Sequence, residues 1–113
     1  MGILENISSK KAEISRKRTS EALKEAKKIS KILAGKFGAE EVILFGSLTE
    51  EKKFDSASDI DLAVKGLKNE YLKAYGYCLR NTRFNLDIKS YEDMPEKFKA
   101  VVDKKGIKLY GKQ

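Results

Sequence analysis

Apolar residues recur every three or four positions in three segments of the chain, and this spacing predicts three helices. The first helix covers about residues 20 to 36, with a start as early as Ser9, and should stop between Gly35 and Gly38. Lysines fill the positions between its apolar residues. We therefore expect one face of this helix to pack on a sheet and the other to be solvated.

Two shorter helices are predicted later in the chain, each with residues suited to its ends. The second covers about residues 70 to 80, with Asn69 as its N-cap. Asp93 is the predicted N-cap of the third, and Gly106 is expected in the left-handed conformation at its end. The apolar faces predicted for these two helices comprise Tyr71, Leu72, Tyr75, Cys78 and Leu79 in the second, and Met94, Phe98, Val101 and Val102 in the third.

Four further segments are apolar in continuous or alternating runs, which predicts β-strands. These segments cover residues 42–45, 59–64, 84–90 and 107–110. The order helix, strand, strand, helix, strand, helix, strand is typical of an α/β (α+β) fold. We expect a mixed sheet of about four strands, with a long N-terminal helix and with the helices packed mainly on one face.

The composition restricts the class of protein. With 113 residues, 41% of them apolar, the chain is expected to form one domain over residues 1–113, and no run is long enough to span a membrane. The first twenty residues lack the apolar stretch of a signal peptide, so a cytoplasmic protein is expected. Histidine is absent and Cys78 is the single cysteine, which excludes an internal disulfide, Cys/His zinc sites and His-dependent nucleophiles.

The net charge of +7 is concentrated at the N-terminus. Residues 1–36 hold ten Lys/Arg and four acidic residues, which is +6, whereas residues 37–113 hold fourteen and thirteen, which is +1. Residues 1–19 form a basic arm or helix extension that either is a solvated helix face or attracts an acidic partner or nucleic acid. The arm lacks aromatic residues that would stack on bases, which counts against a dedicated single-strand binder.

Three aspartates carry the candidate chemistry. Asp59 and Asp61 are two positions apart at the start of a strand, so they point to one face of the sheet. Asp87 alternates with apolar neighbours in a later strand and also faces away from the apolar side. Adjacent carboxylates repel each other unless a cation lies between them, and Mg²⁺ prefers such oxygen ligands. The sequence therefore predicts a magnesium site.

The turn before these aspartates is suited to bind phosphate. Gly46 lets the backbone come close to a ligand, and Ser47 adds a hydroxyl beside its own N–H. A short helix after Ser47 would add free N–H groups that favour an anion.

Gly46-Ser47, an eleven-residue spacer, Asp59, Asp61 and the later Asp87 together resemble the nucleotidyltransferase superfamily related to DNA polymerase beta. Within it, the length and the C-terminal pattern resemble the minimal nucleotidyltransferases (MNT proteins), antitoxins often encoded beside a helical HEPN toxin. The resemblance implies that the three aspartates bind Mg²⁺, two ions in all, and that Gly46 and Ser47 bind the phosphates of ATP.

The resemblance also implies an activity and a partner. A nucleoside monophosphate, AMP from ATP, would be transferred to a hydroxyl of a HEPN-type partner protein, with a tyrosine as the best guess. Ser58, directly before Asp59, fits the family pattern Ser-Asp-x-Asp and either contacts the nucleotide or orients the turn. Many relatives carry Ala-Arg-Gly where this chain has residues 49–51, although Lys52 and Lys53 offer charge nearby.

Two other functions stay open at this stage. The chain could be a catalytically weak or inactive subunit that neutralises its partner by contact alone, since the arginine of the Ala-Arg-Gly element is missing. A nucleic-acid-binding module that uses the basic arm is a less favoured alternative. A homodimer is compatible with each of these functions.

Overall fold

The computed structural model describes residues 2–46 and 59–111, with side chains from Thr19 onward. Its elements are three helices, α1 (Gly2–Phe37), α2 (Tyr71–Arg80) and α3 (Glu96–Lys105), and four strands, β1 (Glu41–Phe45), β2 (Ile60–Lys65), β3 (Leu86–Ser90) and β4 (Ile107–Tyr110). Short 3-10 turns cover Lys68–Glu70 and Tyr91–Asp93. Among these helices, none is both long and apolar enough to cross a lipid bilayer.

The four strands form one mixed sheet in the order β3-β2-β1-β4. The central strand β1 is antiparallel to both β2 and β4, whereas β2 and β3 are parallel. The parallel pair is joined by a crossover through α2, as parallel neighbours require. The predicted α+β fold with a four-stranded mixed sheet is confirmed.

The main core lies between one face of the sheet and the helices α1 and α2. On α1, the residues buried there are Ala22, Ala26, Ile29 and Leu33, which follow the helical repeat. The predicted packing of this helix on the sheet is therefore confirmed. The helix begins at Gly2, earlier than the predicted start at Ser9. No glycine or proline occurs between residues 3 and 34, so nothing in the sequence interrupts it.

The opposite face of the sheet is covered only in part. Met94 and Val102, before and within α3, pack there against Ile43 of β1 and Ala63 of β2. Exposure then increases along β2 toward its start, from Ala63, which is fully buried, through the half-buried Asp61. The third helix thus leaves one end of this face open to solvent.

The predicted apolar faces of the two short helices are wrong in part. Phe98 and Val101 of α3 are 57% and 52% exposed, because the patch of sheet beneath this helix accommodates only Met94 and Val102. On α2, the helix buries Ala74 and Cys78 and leaves Leu72 and Leu79 exposed. Periodicity identified these helices as amphipathic but did not fix which residues meet the sheet.

The predicted helix caps are also wrong. Asn69 lies inside a 3-10 turn that continues directly into α2. Asp93 is too early to cap α3, because Pro95 holds Met94 in an extended conformation and the helix starts only at Glu96.

The glycine at the end of α3 serves another purpose than the predicted one. Gly106 has a φ of −72° and is extended, not left-handed. A methyl group on it would lie 2.4 Å from the carbonyl oxygen of Val102 and 2.5 Å from Cγ2 of Ile43. This position therefore requires glycine because the chain passes so close to β1.

Candidate metal and nucleotide site

The three predicted aspartates meet at the open end of the sheet. Asp61 of β2 is the register partner of Asp87 of β3, and Asp59 directly precedes β2. One carboxylate oxygen from each of the three lies within 4.8 Å of the others. Asp61 lies on the face that α3 leaves open, because its neighbours Ile60 and Leu62 point into the core on the other face.

The carboxylates of this cluster disfavour one another's charge. Partial burial raises the pKa of Asp61 from 3.8 to about 6, and the charges of Asp87 and Asp59 raise it further within that value. The nearby ammonium of Lys89 acts in the opposite direction. At neutral pH the cluster therefore holds unfavourable negative charge that a bound cation would relieve.

Lys89 belongs to this site, although it was not among the residues predicted for it. Its Nζ lies 3.3 Å from Oδ2 of Asp87, with both side chains partly exposed. The two residues are two positions apart on β3 and so share a face of the sheet. That alternation was the signal in the sequence that could have identified Lys89.

Gly46 lies against the same cluster. Its φ is +79°, and a methyl group built on it would lie 2.3 Å from Oδ2 of Asp61. Phe45, the residue before it, is the register partner of Asp61. The backbone at the end of β1 can approach the carboxylates this closely only because no side chain is present.

The other residues predicted to bind nucleotide lie outside the described residues. These are Ser47 and Ser58, together with the lysines at positions 52 and 53. Both serines are direct sequence neighbours of residues in the cluster, Gly46 and Asp59.

Two tyrosines of α2 fix the strand that carries Asp87. The hydroxyl of Tyr75 donates a hydrogen bond to the carbonyl oxygen of Leu86 at 2.9 Å, and the hydroxyl of Tyr71 donates to that of Ile88. Because β3 is an edge strand, these carbonyls have no strand partner on that side. Burial raises the pKa of both phenols, which keeps them protonated as donors. The tyrosines thus hold β3 in register beside β2.

The donor set fits a divalent cation such as Mg²⁺. Three carboxylate oxygens converge, and hard cations are bound by one to several such oxygens with water and phosphate completing the shell. The free backbone beside Gly46 leaves room for a phosphate group next to the carboxylates. The arrangement is therefore suited to bind a metal–phosphate complex.

Comparison with known proteins agrees with this geometry. The family model of the polymerase beta nucleotidyltransferases matches residues 27–113, most of the chain. The chain belongs to this family. The resemblance found in the sequence is thereby confirmed, and the chain is a nucleotidyltransferase domain.

A solved structure has the same fold as this nucleotidyltransferase domain. It is described as a mutant of the toxin–antitoxin MntA-HpeT with two Asp-to-Glu substitutions. The two chains are 22% identical with a TM-score of 0.64, and the match covers 78% of this chain and 74% of the other. A search of curated proteins gives no significant match.

Proposed function

We propose that this chain is a Mg²⁺-dependent nucleotidyltransferase that transfers AMP from ATP to a hydroxyl group of a partner protein. The single observation that carries the proposal is the convergence of three carboxylate oxygens within 4.8 Å, beside a glycine turn, in a chain of this family. Such a cluster is costly without a cation and useful with one.

The residues would divide the work as follows. Asp59 and Asp61 hold the metal, which neutralises phosphate charge when bound, and Asp87 either shares in this or accepts the proton of the attacking hydroxyl. Gly46 and Ser47 bind the phosphates. The acceptor oxygen forms a bond to the α-phosphorus, the bond from that phosphorus to pyrophosphate breaks, and the hydroxyl proton leaves to a carboxylate. Positioning and neutralisation carry most of this kind of reaction.

The partner proposed for the chain is a HEPN-type toxin. The solved structure with the same fold comes from a toxin–antitoxin pair, and its two substituted aspartates are two positions apart, as Asp59 and Asp61 are. Transfer of AMP to a tyrosine of the toxin would neutralise it, which makes this chain the antitoxin.

A co-purified pair tests the proposal. We expect the protein encoded beside this one, purified with it and given Mg²⁺ and ATP, to gain the mass of one AMP by intact mass spectrometry. The double variant Asp59→Asn, Asp61→Asn should abolish the gain, while Glu21→Gln, an exposed change on α1, should not affect it. Undiminished transfer by the double variant, or an unmodified partner in an active pair, would contradict the proposal.

The second candidate is a subunit that neutralises its partner by contact alone. The observation that favours it is the sequence at residues 49–51, which lacks the arginine present in many relatives. A pair in which the toxin is fully inhibited without Mg²⁺ or ATP and carries no added mass would establish this function instead.

A further inference from the structure

A cleft of about 350 Å³ lies next to the aspartate cluster and is separate from it. Its wall is mainly apolar and comes from the start of α2, the end of β3 and the start of α3. The residues on which its chemistry depends are Tyr71, Lys89, Asp93, Met94, Pro95 and Phe98. A cleft of this size and lining is typical of sites that receive a ligand or a side chain.

The fold itself leaves this cleft uncovered. Phe98 remains 57% exposed although it is one of five phenylalanines in a small protein with a limited core. Leu72, the residue after Tyr71, is 79% exposed on the adjacent helix. Large apolar side chains that cluster at the surface beside charged residues are typical of binding surfaces.

The cleft adjoins the candidate active site through one residue. Lys89 lines the cleft, and its Nζ lies 3.3 Å from Oδ2 of Asp87. Asp87 is the carboxylate of the cluster that lies on β3, the edge strand. The cleft therefore opens on the β3 side of the cluster.

The strand order places this cleft opposite the phosphate turn. Gly46 follows β1, and β2 separates β1 from β3. Neighbouring strands are about 4.8 Å apart, so the Gly46 turn and Asp87 flank Asp61 from two sides. In an in-line displacement the attacking oxygen and the leaving group occupy opposite sides of the phosphorus. With pyrophosphate at Gly46, the acceptor enters from the β3 side.

We infer that this cleft receives an aromatic side chain of the protein segment that presents the acceptor hydroxyl. The inference rests on the proposed function and specifies the acceptor. An aromatic ring suits the rings of Tyr71 and Phe98 and the thioether of Met94, which offer edge, face and sulfur contacts. Lys89 and Asp93 supply one cation and one anion for the polar groups around the ring. The protein's net charge of +7 favours a segment that is acidic overall.

Peptide binding to the full chain tests this inference without ATP or metal. The probes are acetyl-Glu-Tyr-Glu-amide and, with the same charge, acetyl-Glu-Ser-Glu-amide, titrated into ¹⁵N-labelled protein with assigned backbone resonances. We expect the tyrosine peptide to shift the amide signals of Lys89, Met94 and Phe98, and the serine peptide to bind at least about tenfold more weakly. Truncating an anchoring aromatic at an interface typically has effects of this size.

Two matched variants sharpen the test. Phe98→Ser should weaken the tyrosine peptide at least about tenfold, whereas Leu79→Ser should not, because Leu79 is an exposed apolar residue of α2 outside the cleft. Both side chains are about half exposed, so both variants should keep the fold, and their spectra will report it.

Several outcomes would overturn the inference. They are equal binding of the two peptides, shifts confined to other parts of the protein, and unchanged affinity in Phe98→Ser. The same shifts produced by AMP alone would assign the cleft to the nucleobase, and shifts that depend on protein concentration alone would assign it to a second copy. Peptide binding at the cleft combined with failure of AMP transfer would overturn the proposed function, whereas Mg²⁺–ATP binding without tyrosine-peptide binding would overturn only the inference.

Discussion

Replacing Asp61 with asparagine should stabilise the protein when no divalent metal is present. Asp61 has a folded-state pKa of about 6, raised by burial and by the two neighbouring aspartates, against an ordinary value of 3.8. Below pH 3.8 the side chain is protonated in both the folded and the unfolded state and costs nothing. Between about pH 4 and pH 6 only the unfolded state loses the proton readily, so the free energy of unfolding of the wild type falls. Above pH 6 the full penalty is present.

The expected size of the effect follows from the same pKa values. The difference between 3.8 and about 6 corresponds to about 3 kcal/mol. Solvent screens a carboxylate that is only half buried, so we reduce this to about 1 to 1.5 kcal/mol. For a domain of this length, that is a rise in Tm of about 4 to 6 °C for Asp61→Asn at pH 8. At pH 4 the variant and the wild type should differ little.

Thermal unfolding at pH 4 and pH 8, with EDTA or with Mg²⁺, measures this effect. In Mg²⁺ the order should reverse, because the ion stabilises the wild type by binding its folded state and cannot do so in Asp61→Asn. Glu21→Gln, an exposed carboxylate on α1, is the control and should leave Tm unchanged. If Asp61→Asn is less stable than the wild type in EDTA at pH 8, the carboxylate stabilises the fold and our account of its repulsion is wrong.

Three further predictions concern backbone and edge contacts near the site. Gly46→Ala should weaken Mg²⁺ binding and lower the free energy of unfolding in urea, because the methyl group would collide with a carboxylate of the cluster at a positive φ; Gly35→Ala, with nothing within 4 Å of the added group, is the control and should stabilise α1 by up to about 1 kcal/mol. Tyr75→Phe should lower the free energy of unfolding by about 1 kcal/mol, because the carbonyl of Leu86 loses its donor; an unchanged urea midpoint would contradict this. Gly106→Ala should lower Tm by several degrees, because its methyl group would overlap α3 and β1, and an unchanged Tm would show that the chain can move away.

The exposed residues beside the site show what amphipathic periodicity cannot resolve. Phe98 and Val102 both fit the apolar repeat of α3, yet only Val102 reaches the sheet. The number of apolar residues a helix can bury depends on the area of the surface beneath it, which is set by distant strands. The exposure of Phe98 is what creates the cleft, so the feature most informative about the acceptor came from a wrong prediction.

Local alternation determined much of this protein in advance. Side chains in a strand alternate between faces, so the sequence alone predicted that Asp59, Asp61 and Asp87 avoid the apolar face, and it predicted four strands and three helices in their order. The resemblance carried by the same aspartates and by Gly46-Ser47 identified the family. These features depend on residues close together in the chain.

Contacts between distant residues were decided only by the tertiary structure. The parallel pairing of β2 with β3 places Asp87 beside Asp61, and the pairing of β1 with β2 brings Gly46 within reach of the same carboxylate. The burial that raises the pKa of Asp61 likewise depends on which surface α3 covers. Strand order and helix placement result from the burial of apolar area by the whole chain, and no local pattern of residues encodes them.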